Sequence, residues 1–119
     1  MVRSLLLGLL FAGFAMPANV QDAVKADPQN YKLNFENEYV QDVYIHYGPH
    51  EKSGLHSHPA GVLVYLTDGH FRFTDENSKV FEARAKRGES RWFDAFSHKV
   101  ENLEDKPFEA IYIGIKAKR

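Results

Sequence analysis

Cysteine is absent from this 119-residue chain, and its absence excludes two kinds of chemistry. The protein cannot be held by disulfides, so its stability must come from core packing or a bound metal. A cysteine nucleophile is excluded as well. The sequence also lacks a Gly-x-Ser-x-Gly elbow, a phosphate-binding glycine loop and the helical zinc-protease motif. None of the reactions that depend on these signatures is therefore expected.

An excess of positive charge is also missing. The 15 lysines and arginines are balanced by 16 aspartates and glutamates, which gives a formal net charge of -1. The one basic cluster is at residues 116–119. Because nucleic acids and acidic lipids usually require a clustered basic surface, no nucleic acid is expected as a partner.

Long hydrophobic runs are scarce. The main apolar run, residues 5–15, is about 11 residues long, whereas a membrane-spanning helix needs roughly 20. Arg3 precedes this run and a small residue, Ala18, follows it, as in a secretory signal peptide. We expect a signal peptide over residues 1–18, an exported protein that is periplasmic or secreted, and no stable membrane insertion after cleavage. An uncleaved anchor and a lipid-facing amphipathic tail are the alternatives.

The rest of the chain is long enough for one domain. Residues 19–30 are polar and lack a sustained periodicity, so we predict a polar leader there and one folded domain over residues 31–119. A hydrophobic content of 44% and an aromatic content of 13% suffice for one compact core.

Strand signals dominate the predicted domain. Asp68-Gly69 signals a hairpin, and residues 75–78 predict another turn. No ten-residue stretch has a convincing helical stripe. About eight short strands are expected, in an all-β sandwich or small barrel that protects its edges. The clearest predicted strands are residues 39–47, 62–66, 70–74, 79–83, 90–93, 98–102 and 108–115.

Two histidines, His56 and His58, stand one residue apart before an apolar run. In extended backbone, alternate side chains share a face, so these imidazoles could share a metal ion. His98 is the candidate third ligand, because the strand that it begins is distant enough along the chain to be a neighbour in a sandwich. The alternative is a pair of strand-end histidines that hydrogen-bond to solvent.

The segments around these histidines resemble the two conserved motifs of the cupin superfamily. The first segment, residues 54–69, reads GLHSHPAGVLVYLTDG. The resemblance covers residues 47–102 and implies a double-stranded β-helix, the jelly-roll barrel of small, secreted single-domain cupins. The matching positions are His56, His58 and Gly69 in the first motif, and Gly88, His98 and Asn102 in the second.

This chain departs from the cupin motifs at two places. Where the first motif has a glutamate ligand, the chain has Val62 or, counting one residue longer, Leu63, and neither side chain can bind a metal. Phe93 and Ala95 stand where proline and glycine usually shape the turn of the second motif. The resemblance therefore implies a site of three histidines without the glutamate.

Three neutral imidazoles favour zinc, copper, nickel or ferrous iron over manganese or magnesium. Some cupins with a similar arrangement bind ferrous iron through three histidines and use oxygen, including thiol dioxygenases and a diketone-cleaving enzyme, whereas others have lost the metal. Two functions stay open. One is a metal-dependent, oxygenase-like enzyme that acts on a small organic molecule, and the other is a metal-free, non-catalytic barrel for ligand binding or assembly.

Further residues are candidates for contact with a small-molecule ligand. Val62 and Val64 lie an even number of positions after the paired histidines. If no bulge intervenes, their side chains would share the face of the histidines and line a partly apolar barrel mouth. Arg72 could hold a substrate carboxylate, and Trp92 could shield the metal from water. Asp94 could supply the missing acid or orient a ligand histidine. Each of these residues also suits an ordinary core or surface position.

A homodimer is the expected assembly. Jelly-roll barrels of this size commonly pair through an added edge strand. The segments at residues 38–47 and 108–115 would suit such backbone pairing, so we expect one of them at the interface.

Overall fold

Strands account for most of the regular structure in this computed structural model, which describes residues 20–116. β-Branched and aromatic side chains recur along them because such residues pack well on a pleated surface. The one helix in this range has four residues. In chain order the elements are α1 (Ala23–Ala26), β1 (Tyr31–Glu36), β2 (Val40–Tyr47), β3 (His56–His58), β4 (Gly61–Tyr65), β5 (Gly69–Asp75), β6 (Val80–Ala85), β7 (Ser90–Phe93), β8 (Phe96–Asn102) and β9 (Phe108–Ile115).

The strands form two sheets in which every pair of neighbours is antiparallel. The five-stranded sheet has the order β1-β2-β9-β4-β7, and the four-stranded sheet has the order β3-β8-β5-β6. Strands that follow one another in sequence often lie in different sheets, so the chain passes back and forth across the core. The all-β prediction is confirmed, with nine strands in the described range against about eight expected.

Aromatic side chains fill the space between the sheets. Tyr65 from β4, Phe71 from β5 and Phe108 from β9 are all buried. The ring centroids of Phe71 and Phe108 lie 4.3 Å apart in edge-to-face geometry. Burying one large apolar side chain contributes about 1.5–3 kcal/mol, and a favourable ring pair adds about 0.5–1.5 kcal/mol. This packing stabilises a domain that has no disulfides.

The two predicted turns have different outcomes. The turn at residues 75–78 is confirmed, because β5 pairs with β6 across it and the Asp75 carboxylate accepts the backbone N–H groups of Asn77 and Lys79. The hairpin predicted at Asp68-Gly69 is wrong. That turn joins β4 to β5, which belong to different sheets. A local turn signal marks a change of direction but does not select the strand that becomes the partner.

The strand edges differ from those expected for a dimer. Residues 38–47 include β2, which lies between β1 and β9, and residues 108–115 form β9, which lies between β2 and β4. Both strands already have two hydrogen-bonded neighbours, so the prediction that one of them pairs with a second copy is wrong. Within the described residues, the strands at sheet edges are β1, β7, β3 and β6.

Residues 20–30, predicted as a leader, pack against the sheets. Ala23 and Asn30 are each only 2% exposed. The Asn30 side-chain amide donates to the backbone carbonyl of His46 over 3.0 Å, and the Asp22 carboxylate caps α1 by accepting the Val24 N–H over 3.2 Å. The segment therefore contributes buried contacts to the domain.

The predicted signal peptide, residues 1–18, lies outside the described residues. Across residues 20–116, no helix has the length and apolar character needed to cross a membrane.

Gly61 is a position where we expect any side chain to be destabilising. A Cβ atom there would overlap the carbonyl oxygen of Ile113 on the paired strand β9. Gly61→Ala should lower the free energy of unfolding by about 1–3 kcal/mol, the usual cost of overpacking, and urea denaturation measures this loss. Gly48→Ala is the control, because its Cβ would meet only the Glu51 Oε1 atom, at 3.5 Å. Equal losses in the two variants would contradict the prediction.

Candidate metal centre

Strand pairing brings the three predicted histidines to one place. In the antiparallel ladder of β3 and β8, His56 lies directly opposite His98. His58 is two residues further along β3, so its side chain shares the face of His56. The three imidazoles therefore meet on one face of the four-stranded sheet.

The ring nitrogens of this histidine cluster converge. One nitrogen from each ring lies within 4.8 Å of the others, and the ring centroids are 4.8–5.2 Å apart. Bonds of about 2.1 Å to one ion would place such nitrogens roughly 3–3.5 Å apart. Small rotations of the side chains would close that difference, so the three histidines could hold a metal ion.

Two nitrogens in the cluster have no hydrogen-bond partner. The Nε2 atoms of His56 and His98 are buried and unpaired. Buried polar atoms are normally paired, because leaving one unsatisfied costs about 1–3 kcal/mol. Unpaired imidazole nitrogens on two neighbouring rings are what a metal ion would use, so this observation supports the fit of the donor set to a metal.

A buried carboxylate, Asp27, contacts one of the histidines. Its Oδ2 atom lies 2.9 Å from Nδ1 of His56, and both side chains are buried, His56 at 0% exposure and Asp27 at 6%. Carboxylates often hold the second nitrogen of a metal-binding histidine in this way. Asp27 lies in the segment predicted as a polar leader, where no local pattern marks it for a role at the site. Only the fold brings it to His56.

Burial favours the neutral form of the three imidazoles. Desolvation, reinforced by the neighbouring His56, lowers the pKa of His98 to about 3. Desolvation also lowers the pKa of His58 well below its usual value, with His98 and His56 adding to the effect. The pKa of His56 is lowered by burial against the opposing hydrogen bond from Asp27. Neutral imidazole is the form that binds a metal, so these shifts keep the cluster available as a ligand set.

Aromatic rings pack against two of the histidines. Phe96 stacks on His58 with ring centroids 4.9 Å apart, and Phe73 stacks on His98 at 5.0 Å. Such contacts restrict the rotation of the imidazoles and exclude water from one side of each ring.

The histidine cluster borders a cavity of about 540 Å³ between the sheets. Arg91 is the only lysine or arginine among the described residues of its wall, and Asp75 is the only carboxylate. An apolar enclosure with a few polar groups is typical of a small-molecule site. The other wall residues include Tyr31, Ile45, Tyr47, Leu63, Tyr65, Phe71, Phe81, Phe93, Phe108 and Tyr112.

The two-sheet fold and its histidine cluster agree with a match to a known protein family. A family model described as a cupin domain matches residues 43–114. The chain belongs to the cupin family. No curated protein matches this cupin in sequence.

Solved structures support the same fold. A cupin domain from Bordetella pertussis has 26% identity and a TM-score of 0.68, over 73% of this chain and 92% of that one. A cupin family protein with a double-stranded β-helix fold from Methanocaldococcus jannaschii has 16% identity and a TM-score of 0.57, over 72% of this chain and 78% of that one. A Klebsiella pneumoniae protein with a double-stranded β-helix domain has 16% identity and a TM-score of 0.55, over 88% and 96%. The predicted double-stranded β-helix is confirmed.

This cupin has no carboxylate in place of the motif glutamate. Val62 and Leu63, the two positions that could correspond to it, lie in β4 of the five-stranded sheet. Across residues 20–116, no aspartate or glutamate joins the three histidine nitrogens. The ligand set that the structure offers is therefore entirely imidazole.

The expectation that Val62 and Val64 face the same way as the paired histidines is wrong. β3 belongs to the four-stranded sheet and β4 to the five-stranded sheet, so the chain changes sheets at residues 59–60 and the alternation does not continue. Leu63 and Tyr65, rather than the two valines, line the cavity.

Arg72 is not part of the cavity wall. Its guanidinium pairs with Glu101 over 3.1 Å and with Glu82 over 3.6 Å. Arg91 lines the cavity instead, with its guanidinium carbon 5.2 Å from the centre of the Tyr65 ring. If a carboxylate is bound in this cavity, Arg91 is the better placed of the two arginines.

Trp92 and Asp94 contact each other. Trp92 borders the cavity while remaining 57% exposed, and its Nε1–H donates to the Asp94 carboxylate over 3.0 Å. Asp94 is exposed and does not join the histidine cluster. Asp27, not Asp94, is the carboxylate that contacts a histidine of the cluster, whereas shielding by Trp92 stays a prediction.

We expect the metal-free cupin to lose stability as the pH falls below about 6.5. The pKa of His98 is about 3 in the folded protein, against an ordinary value of 6.5, so between these pH values the unfolded chain binds a proton that the folded chain does not. The free energy of unfolding should then fall by up to about 1.4 kcal/mol per pH unit for this histidine. Urea denaturation with a chelator, from pH 7.5 to pH 5, measures the slope. His98→Gln should flatten it, and an unchanged slope in this variant would contradict the prediction.

Proposed function

We propose that this cupin binds a divalent transition metal through His56, His58 and His98. The observation that carries the proposal is the convergence of one nitrogen from each of the three rings within 4.8 Å, together with the buried Nε2 atoms of His56 and His98 that have no hydrogen-bond partner. The lowered histidine pKa values support it, because they keep the donors neutral. Zinc, copper, nickel and ferrous iron are the candidate ions, since imidazole suits these metals better than magnesium or manganese.

We propose further that the cavity beside the histidines receives a small organic molecule. Its aromatic and aliphatic wall suits an apolar body, and Arg91 offers a cation for an acidic group. Arg91 already contacts the Glu89 carboxylate at 3.1 Å and the Arg84 carbonyl at 2.7 Å. A ligand acid would therefore compete with Glu89 for it.

A bound ion would supply a Lewis acid with coordination positions open to that molecule. The protein's own groups would exclude water, through the aromatic wall, and hold the imidazole of His56 in a fixed orientation, through Asp27. An oxygen-using or hydrolytic reaction on the ligand is the enzymatic form of the proposal. The second form is a binding barrel without catalysis, which the apolar cavity supports independently of any metal.

Elemental analysis tests the metal proposal directly. Untagged wild-type protein is expected to carry near-stoichiometric metal, and His98→Ala should remove most of it, because a two-histidine site lacks a third donor. His50→Ala is the control, since His50 lies on the surface and pairs with Asp105 outside the cluster. Metal-free wild-type protein that also fails to bind added zinc, nickel, copper or ferrous iron would overturn the proposal.

The single tryptophan of the chain provides a test of the ligand proposal. Trp92 borders the cavity, so a ligand that enters should change its fluorescence, and Arg91→Gln should weaken the response to acidic ligands more than to neutral ones. Oxygen consumption by metal-loaded protein, with thiols, diketones and phenols, separates the two forms of the proposal. Binding without turnover would favour the non-catalytic barrel, and consumption of oxygen would favour the enzyme.

Export to the periplasm or outside the cell, and assembly as a homodimer, are also parts of this proposal. The sequence of residues 1–18 supports export, which N-terminal sequencing of the secreted or periplasmic protein would test. Exposed apolar side chains on the edge strand β1, Leu33 and Phe35, are compatible with a dimer. A monomer mass in light scattering at all concentrations would count against it.

A further inference from the structure

The N-terminal segment reaches the candidate metal centre from outside the part of the chain that matches the family. The cupin match covers residues 43–114, whereas Asp27 belongs to residues 20–30. The backbone N–H of Ser57, the residue between the two paired histidines, donates to the Gln21 carbonyl over 2.8 Å. Asp22 and Ser57 also form a parallel β-bridge. The segment is thus attached to β3 at the centre of the His-x-His sequence.

Both oxygens of the Asp27 carboxylate are used in this contact. Oδ2 lies 2.9 Å from Nδ1 of His56, and Oδ1 accepts the backbone N–H of Gly54 over 3.2 Å. An ionised carboxylate can only accept hydrogen bonds, so the proton of the neutral imidazole must be on Nδ1. The lone pair of His56 is then on Nε2, the buried atom that has no partner.

The charge of Asp27 has a second consequence. Three neutral imidazoles provide no negative charge to offset a divalent ion in an apolar interior, which is costly. Among the described residues, Asp27 is the only aspartate or glutamate that is buried, and it contacts one of the three proposed ligands. It can therefore provide, through His56, the negative charge that a glutamate ligand would otherwise supply.

We infer that Asp27 is a positioning residue for the metal centre, which fixes the tautomer of His56 and partly neutralises the bound ion. Metal affinity then depends on a segment outside the matched cupin domain. The inference deepens the proposed function and rests on it where metal affinity is concerned. The tautomer of His56 does not depend on metal binding.

Asp27→Asn tests the inference. Asparagine has nearly the same shape, but its single carbonyl oxygen cannot accept from both Gly54 and His56. We expect zinc affinity to fall by about 10- to 100-fold, the usual effect of losing such a partner, in a competition titration with a chromophoric chelator. Asp27→Glu keeps two acceptor oxygens and the charge, so it should retain more of the affinity. Asp105→Asn removes the carboxylate from the surface pair with His50 and should leave zinc affinity unchanged.

Nitrogen-15 NMR of the metal-free protein provides the second readout. Wild-type His56 should be in the Nδ1–H form, and Asp27→Asn should shift it toward a mixture of tautomers. A merely structural role for Asp27 would lower stability without moving this equilibrium. If Asp27→Asn does not fold, as judged by circular dichroism, the wild-type spectrum and Asp27→Glu still decide the question.

The outcomes separate this inference from the proposed function. If wild-type protein binds zinc and the zinc affinity of Asp27→Asn is within twofold of the wild-type affinity, the inference is overturned while the metal proposal stands. An Nε2–H tautomer in the wild-type protein would also overturn the inference. If wild-type protein binds no metal, the proposed function fails, and a tautomer change in Asp27→Asn would still support the positioning of His56 by Asp27.

Discussion

The register between β3 and β8 is the constraint on which the candidate site depends. β3 has only three residues, and a slip of one residue would turn its side chains to the opposite face. Two contacts oppose such a slip. β8 is also paired with β5 over five positions, and on the other side of β3 the Ser57 N–H is bonded to the N-terminal segment. The geometry of the candidate metal site therefore depends both on sheet pairing and on a segment that precedes the barrel.

Burial has opposite effects on the parts of this site. It keeps His58 and His98 neutral, which suits metal binding, but it also leaves two imidazole nitrogens without a hydrogen-bond partner in the protein. Within the apolar wall, polar atoms with no partner are costly. A bound ion would relieve that cost, and the carboxylate of Asp27 would relieve part of the cost of the ion's charge. The same low-dielectric cavity would strengthen contacts to an organic ligand with an acidic group.

Much of the fold could be predicted from the sequence because it rests on local patterns. Alternating β-branched and aromatic residues indicated most of the strands, and the acceptor Asp75 followed by polar residues indicated the β5–β6 turn. The partner of each strand was harder to predict. Asp68-Gly69 has the residues of a hairpin turn, yet it connects two sheets, because pairing is decided by where the apolar faces of distant strands meet rather than by the turn itself.

That His56 and His58 share a face follows from the amino-acid sequence alone, since a side-chain period of two is a property of any extended backbone. The position of the strand that His98 begins, and the resemblance to cupins, both pointed to His98 as their partner. Which other residues reach these histidines depends on the folding of the whole domain. The change of sheet after His58 turned Leu63 and Tyr65 inward in place of Val62 and Val64. The folding of residues 20–30 onto β3 brought Asp27 to His56. Both results depend on contacts between segments far apart in the chain, which no local pattern encodes.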